Sequence, residues 1–394
     1  MLAVDPKHVQ ALLGLAALEA RAGGSAEAVS DKIADAVELN PGEAAPRLLL
    51  IEQHLRTKDV KAALTAAQDA VSALPNNADL LDALGRVQTA SGQGNQAIST
   101  FTRLATLEPK SARPHLRLAE LHTAEKNSDA AIQSLKRALA VSPQLLAAQR
   151  GLMVLHAQAK RPKEALAVAR EVQKQRPDEA VGFVLQGDLE ASQQNWDAAV
   201  ASYRTALKSP RSDELAPKLH ATLIAGGNTG AADAFAVTWI KEHPKDVRFH
   251  FYLGELASRG GDSARAETHY RAVLAEQPEN PAALNNLAWV TNQLGKPGAL
   301  ALAEKASALR PGEPNLMDTL ATILASDNQV AKAVEVQKKA VELQPNNPVF
   351  RLNLAKIYIK AGDKALARSE LETLAKAQPK FGGQAEVTEL LKTL

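Results

Sequence analysis

Few residues in this chain are of types that do chemistry, and their spacing limits what they can do. His54, His122 and His156 share one position of a 34-residue period, which would set three imidazoles in a row. A metal site needs a further ligand, and no carboxylate stands beside them at ligand spacing. His115 and His122 lie seven residues apart, again without a third ligand. Gly226-Gly227-Asn228-Thr229-Gly230 has the glycine content of a phosphate cradle. It lacks the GK[ST] ending and follows no strand pattern, so it reads as a turn between helices. There is no G-x-S-x-G, no HExxH and no pair of carboxylates spaced for acid–base work. Cysteine is absent, which removes disulfides, thiolate metal sites and thiol nucleophiles. The expectation is a chain with no catalytic residue, no cofactor and no metal. What remains is recognition.

The elements that must position any recognition residue are periodic. Prolines recur at 41, 75, 109, 143, 177, 210, 244, 278, 311, 345 and 379, eight intervals being 34 residues and two 33. Each ends a helical pattern, because proline lacks the N–H and biases the preceding residue away from helix. Eleven or twelve residues before each proline from Pro75 onward stands an alanine, as at Ala63, Ala97, Ala131 and Ala165. A small side chain there lets two helices of a hairpin touch. A leucine stands 12 or 13 residues earlier still, at Leu50, Leu84, Leu118, Leu152, Leu219, Leu253, Leu287, Leu320 and Leu354; Gln186 is the departure in that column. Glycines 92, 227, 261, 295 and 362 supply left-handed turns between the paired helices.

This pattern resembles the tetratricopeptide repeat, W-x2-L-G-x2-Y followed by A-x3-F and P. Its second half is matched at Ala97/Phe101/Pro109, Ala199/Tyr203/Pro210 and Ala266/Tyr270/Pro278, and its first half best at Leu354-Ala355-x2-Tyr358. The resemblance covers essentially the whole chain in eleven repeats: 9–43, 44–77, 78–111, 112–145, 146–179, 180–212, 213–246, 247–280, 281–313, 314–347 and 348–381. Residues 382–394 form a capping helix with Val387, Leu390, Leu391 and Leu394 on one face, and residues 1–8 are the remnant of a preceding repeat. It implies an all-α fold, a right-handed superhelical solenoid in one continuous domain. It also places the three aligned histidines where the family has a packing tyrosine, a structural role.

In such a solenoid the first helix of each repeat lines a concave groove. Trp289, flanked by Asn285 and Asn292, would then face the groove, with Phe251, Glu255, Asp318 and Thr322 from neighbouring repeats. An exposed tryptophan among amides suits sugar stacking or a peptide anchor. The competing reading is that it fills space between adjacent first helices. Trp239 falls at a packing position. A second group is electrostatic: residues 103–176 carry fourteen basic and six acidic side chains, with Arg113, Arg117 and Arg150 at or beside groove positions. A carboxylate-rich ligand would be drawn there; the alternative is a solvated basic face.

Over the whole chain 46 basic residues balance 44 acidic ones, which speaks against a nucleic-acid or general membrane-surface binder. No apolar run reaches the roughly 18 residues of a membrane span. The start, LAVDP, matches the end of a repeat (LAVSP, 139–143) and not a signal peptide. The expectation is therefore a C-terminal portion of a longer protein, with targeting information or a lipid anchor upstream. The segment NNLAWVTNQLGKPGALALAEKASALRPGEPNLMDTLA further resembles the repeat lipoproteins of bacterial exosortase and exopolysaccharide (PEP-CTERM) systems. That resemblance implies a periplasmic or outer-membrane-associated protein of a Gram-negative bacterium, a scaffold for protein, peptide or polysaccharide partners. Two alternatives stay open: the repeat region of a larger enzyme such as a glycosyltransferase, and a cytoplasmic peptide-binding adaptor.

Overall fold

The computed structural model describes residues 5–210, 212–376 and 381–394. Among these residues there is no strand, and twenty-two helices pair in sequence into eleven hairpins, with a final helix Gln384–Thr393. Pro379 and the first four residues of the start, on which two of the sequence expectations rest, lie outside the described residues.

In several repeats the proline-to-helix step is capped by a side chain. Asn77 accepts from the Leu80 amide at 3.0 Å, Asn280 from Ala283 at 3.0 Å and Asn347 from Phe350 at 3.4 Å, each supplying an acceptor for a first-turn N–H. The turn within each hairpin needs one left-handed residue. Glycine fills it at Gly92, Gly227, Gly261, Gly295 and Gly362, but Lys58, Lys126, Lys160, Gln194 and Asn328 hold the same position at φ between 56° and 65°. A Cβ in that region costs about 1–2 kcal/mol. Lys126→Gly is therefore expected to raise the unfolding free energy by roughly 0.5–1 kcal/mol, once the extra freedom of glycine in the unfolded chain is subtracted. Urea titration would read it, and a loss of stability would show that the Lys126 side chain contributes more than its backbone costs.

Helices within a hairpin meet at the alanine column: Ala63, Ala97, Ala131, Ala165, Ala199, Ala266, Ala333 and Ala367 are fully buried. A second column sets the fit one turn away. Gly85 lies against the Phe101 ring, Gly187 against Tyr203 and Gly254 against Tyr270, where an added Cβ would stand 2.6 Å and 2.7 Å from the two tyrosine rings. Where alanine replaces glycine in the first helix, the opposing side chain is not aromatic: Leu135 packs with Ala119 and Leu371 with Ala355, and the buried Gln337 holds that position in the hairpin of Ala321. Where the first helix offers a large residue, the second offers alanine, as in Ile51 with Ala67 and Met153 with Ala169. Gln186, the departure from the leucine column, is accommodated by hydrogen bonds: Gln173 Nε2 donates to it at 2.8 Å, and its own Nε2 donates to Glu190 at 2.7 Å.

The hairpins group into two compact units, residues 1–210 and 211–394. The first holds the six hairpins from Val9–Arg21 to Trp196–Ala206. In it, first helices touch first helices, Ala44–Arg56 on Ala78–Ala90 and Ala78–Ala90 on Arg113–Ala124. The second opens with the turn Asp213–Leu215 and the short helix Ala216–Ala225, and holds five hairpins. Here Pro281–Gln293 touches Pro314–Ser326, which touches Pro348–Ala361. Successive second helices make no comparable contact among the described residues, so within each unit the first helices form the inner face. Gln384–Thr393 closes the second unit: Val387 is fully buried against Leu352, Ala355, Leu371 and Leu374, with Leu390, Leu391 and Leu394 alongside.

Candidate functional site

The inner face of the second unit is built around the helix Pro281–Gln293. Leu284, Leu287 and Ala288 are buried on its core side, and this turns Trp289 outward, where it is 38% exposed. By contrast, Trp239 is 7% exposed, stacks on His243 with centroids 4.0 Å apart, and donates its N–H to Asp246 at 2.8 Å. Trp239 is core, as its sequence position indicates.

Trp289 stands in a ridge. Glu255, Trp289, Thr322 and Lys356 hold one position in four successive first helices, and one turn further on come Arg259, Gln293, Ser326 and Lys360. Asn292 Nδ2 donates to Ser326 Oγ at 3.4 Å, linking the Trp289 helix to the next. Beyond Ser326 lies a cleft of about 170 Å³ lined by Thr322, Ala325, Ser326, Asn353, Lys356, Ile357 and Lys360. Two buried acceptors on this side have no hydrogen-bond partner, Asn285 Oδ1 and Thr322 Oγ1.

The other expected residues are distributed differently. Phe251 is half-buried and turned into its own hairpin, edge-on to Tyr270 at 5.8 Å, so it supports the ridge from below. Asn285 donates to Asn286 at 3.3 Å, and Asn286 to the Tyr270 hydroxyl at 3.3 Å. Asp318 is held by Gln337 at 2.5 Å and by both oxygens to Asn353 at 2.9 and 3.0 Å. Burial pushes its carboxyl above the usual range, and the Asn353 and Gln337 donors partly offset that. Asp318 is thus committed to joining its helix to the next hairpin. Lys356 pairs with Glu386 of the terminal helix at 2.6 Å, and Lys360 donates to the Ala325 carbonyl. Ser326, Asn353, Lys356 and Lys360 do not stand out in the sequence one residue at a time; aligning the repeats position by position with Trp289 would have found them.

In the first unit two of the three arginines of the expected basic patch are paired within the chain. Arg113 pairs with Asp79 at 2.7 Å and Glu108 at 2.9 Å. Arg117 makes two bonds to Asp82, at 2.8 and 3.3 Å, and one to Glu120 at 3.1 Å. These hydrogen bonds, Asp79 for Arg113 and Asp82 for Arg117, raise both guanidinium pKa values against a smaller desolvation effect. Arg150 is exposed, with no ion pair among the described residues. Two of these carboxylates, Asp79 and Asp82, come from the preceding repeat, 34 and 35 residues upstream, a separation that a count over residues 103–176 misses. The Asp82 side chain is only 9% exposed, so Arg117→Met would strand a carboxylate and is expected to cost about 1–3 kcal/mol in urea unfolding. Asp82→Asn in the same chain should recover part of that loss; strict additivity would show the pair to be unimportant.

No group of three or more metal-ligating side chains occurs among the described residues, and no described helix is long and apolar enough to cross a membrane. Two family models described as tetratricopeptide repeat match the chain, one at residues 122–183 and 324–392, the other at 83–145, 223–281 and 253–314. Cellulose synthase operon protein C of Pseudomonas fluorescens is 28% identical over 237 residues, 55% of this chain and 18% of its own length. The protein of the same name from Xanthomonas axonopodis pv. citri is 28% identical over 254 residues, 60% of this chain and 16% of its own. A probable biofilm formation methyltransferase WspC of Pseudomonas putida is 31% identical over 108 residues, 26% of each chain. The matches thus span about a quarter or less of the length of these relatives. Among solved structures, the APC/C hetero-tetramer Cut9-Hcn1 aligns over 99% of this chain and 91% of its own at 12% identity and TM-score 0.44, and yeast Tom70 over 98% and 96% at 15% and 0.42.

Proposed function

The chain belongs to the tetratricopeptide repeat family, and from that premise we propose that it is a non-catalytic scaffold of a bacterial exopolysaccharide system. It takes its partner on the inner face of the second unit. The observation that carries this reading is the ridge around Trp289, an exposed aromatic set among amide and hydroxyl side chains on the face where first helices meet. Repeat hairpins provide an extended, rigid surface of this kind without needing a deep pocket. The exopolysaccharide assignment draws support from the two relatives named for a cellulose synthase operon. By the resemblance to exosortase-associated lipoproteins, the site of action is the periplasm or the outer membrane of a Gram-negative cell.

The test is genetic. Deleting the gene in its host is expected to reduce polymer delivered outside the cell, with wild type restoring it and Trp289→Ala restoring little at normal protein level. Unchanged polymer output after deletion would remove the assignment. A second reading, the repeat region of a larger enzyme, draws on the methyltransferase relative. It predicts that the whole gene product carries a catalytic domain whose activity survives Trp289→Ala.

A further inference from the structure

Resting on that reading and going one step further, we propose that the ridge around Trp289 binds the polysaccharide itself, as a neutral hexopyranose polymer laid across the first helices of the second unit. The first argument is the indole. Trp289 is 38% exposed, and its N–H, in contrast to that of Trp239, has no partner among the described residues. A flat apolar face with one outward donor matches a pyranose ring, which presents C–H bonds on its face and hydroxyls at its edge.

The second argument is what surrounds it. Asn292, Gln293, Ser326 and Asn353 offer amides and a hydroxyl along the line from Trp289 into the cleft beyond Ser326. Such groups can both donate and accept, as a row of hydroxyls requires.

The third argument is charge. Asp318 is saturated by Asn353 and Gln337, Lys356 is paired with Glu386, and Lys360 is bound to the Ala325 carbonyl. On the preceding helix Glu255 and Arg259 stand four residues apart, opposite in sign. These three acids, Asp318, Glu386 and Glu255, match the three cations, Lys360, Lys356 and Arg259, so the ridge presents no net charge with which to hold an acidic polymer. A protein partner fits less well, because interface cores are contiguous and apolar. On the first helices of this unit the other large apolar side chain in the open is Val349, two hairpins away and near the opposite end of its helix.

The experiment is affinity electrophoresis of the whole chain in native gels containing hydroxyethyl cellulose, alginate or no polymer. The neutral glucan is expected to retard the wild type, equally at low and high salt, with alginate having little effect. Trp289→Ala should weaken retardation by about tenfold or more, the loss expected for an aromatic anchor, while Trp289→Phe keeps most of it. Asn292→Ala should weaken it severalfold, and thermal melting of each variant shows whether the fold is kept. Retardation by alginate alone, abolished by salt, would overturn the proposal. So would a glucan effect that Trp289→Ala leaves unchanged, or no retardation by glucan at all. If glucan fails while a purified protein of the same gene cluster binds in a Trp289-dependent way, the ridge remains the partner site and only the polysaccharide is refuted. If nothing binds and polymer export is normal in the deletion strain, both readings fall.

Discussion

Gly85→Ala is expected to lower the unfolding free energy by about 1–3 kcal/mol, although alanine is the better helix former by roughly 1 kcal/mol. The added methyl group would point at the Phe101 ring, well inside contact distance, and Phe101 is 1% exposed, so the ring or the helix must shift to admit it. The overpacking is specific to the pair. In the next hairpin the same size match appears in another form: Ala119 packs with Leu135 in a single buried cluster, so an alanine fits when its partner is aliphatic and less bulky. Phe101→Leu alone should cost about 1–1.5 kcal/mol through lost contacts, and the double variant Gly85→Ala/Phe101→Leu should be no worse than Phe101→Leu. A favourable coupling of about 1–2 kcal/mol in urea unfolding is the signature. If the two losses simply add, the size match across the hairpin does not govern stability. The same cycle at Gly254 and Tyr270, where the ring stands 2.7 Å from the place an added methyl would occupy, should give the same sign.

The hairpin architecture was readable because its determinants are local and repeat. A proline that stops a helix, an alanine that lets two helices touch and a leucine that anchors them recur at fixed spacing, and every fully buried alanine of that column sits where the period puts it. The pairing of sizes was not readable one residue at a time. Gly85 shows its meaning only beside Phe101, sixteen residues on, and the same holds for Gly187 with Tyr203. The turn residues hid for another reason: lysine at 58, 126 and 160 adopts the left-handed conformation because the helices on either side dictate it, against its own preference. At the candidate site, exposure of Trp289 follows from helical phase, since its neighbours Leu287 and Ala288 must be buried. The commitments of Asp318 to Gln337 and Asn353, and of Arg117 to Asp82, cross from one repeat to the next. Composition over a window counts such charges as available, whereas geometry shows them satisfied.

Acid is expected to destabilise the second unit before most of its carboxylates protonate, an effect that Asp318, whose carboxyl pKa burial raises, offsets in part. His250 and His269 are buried with their Nδ1 atoms 3.1 Å apart, an arrangement that needs one nitrogen to donate and the other to accept. Burial first, then repulsion from His250 and from the Arg265 guanidinium, lower the His269 pKa from 6.5 to about 4. The folded chain thus keeps His269 neutral where the unfolded chain would protonate it. Between pH 6.5 and about 4 the unfolded state binds the extra proton, so stability is full above that window and falls as pH drops through it. The total for this group is on the order of 3 kcal/mol, since each tenfold loss of proton affinity corresponds to about 1.4 kcal/mol. In the same unit His220 is lowered too, chiefly by burial, and adds slope of the same sign, as His115 and His156 do in the first unit. Glu267, held below the usual carboxylate range by hydrogen bonds from Lys296 and Arg271, adds its own loss only at lower pH. The urea midpoint should therefore decline steadily from about pH 7 to about pH 4.5, and His269→Gln should flatten that decline even if it lowers the midpoint at neutral pH. A His269 ring that titrates near pH 6.5 in a folded-state NMR experiment would refute the argument, as would a slope that the substitution leaves unchanged.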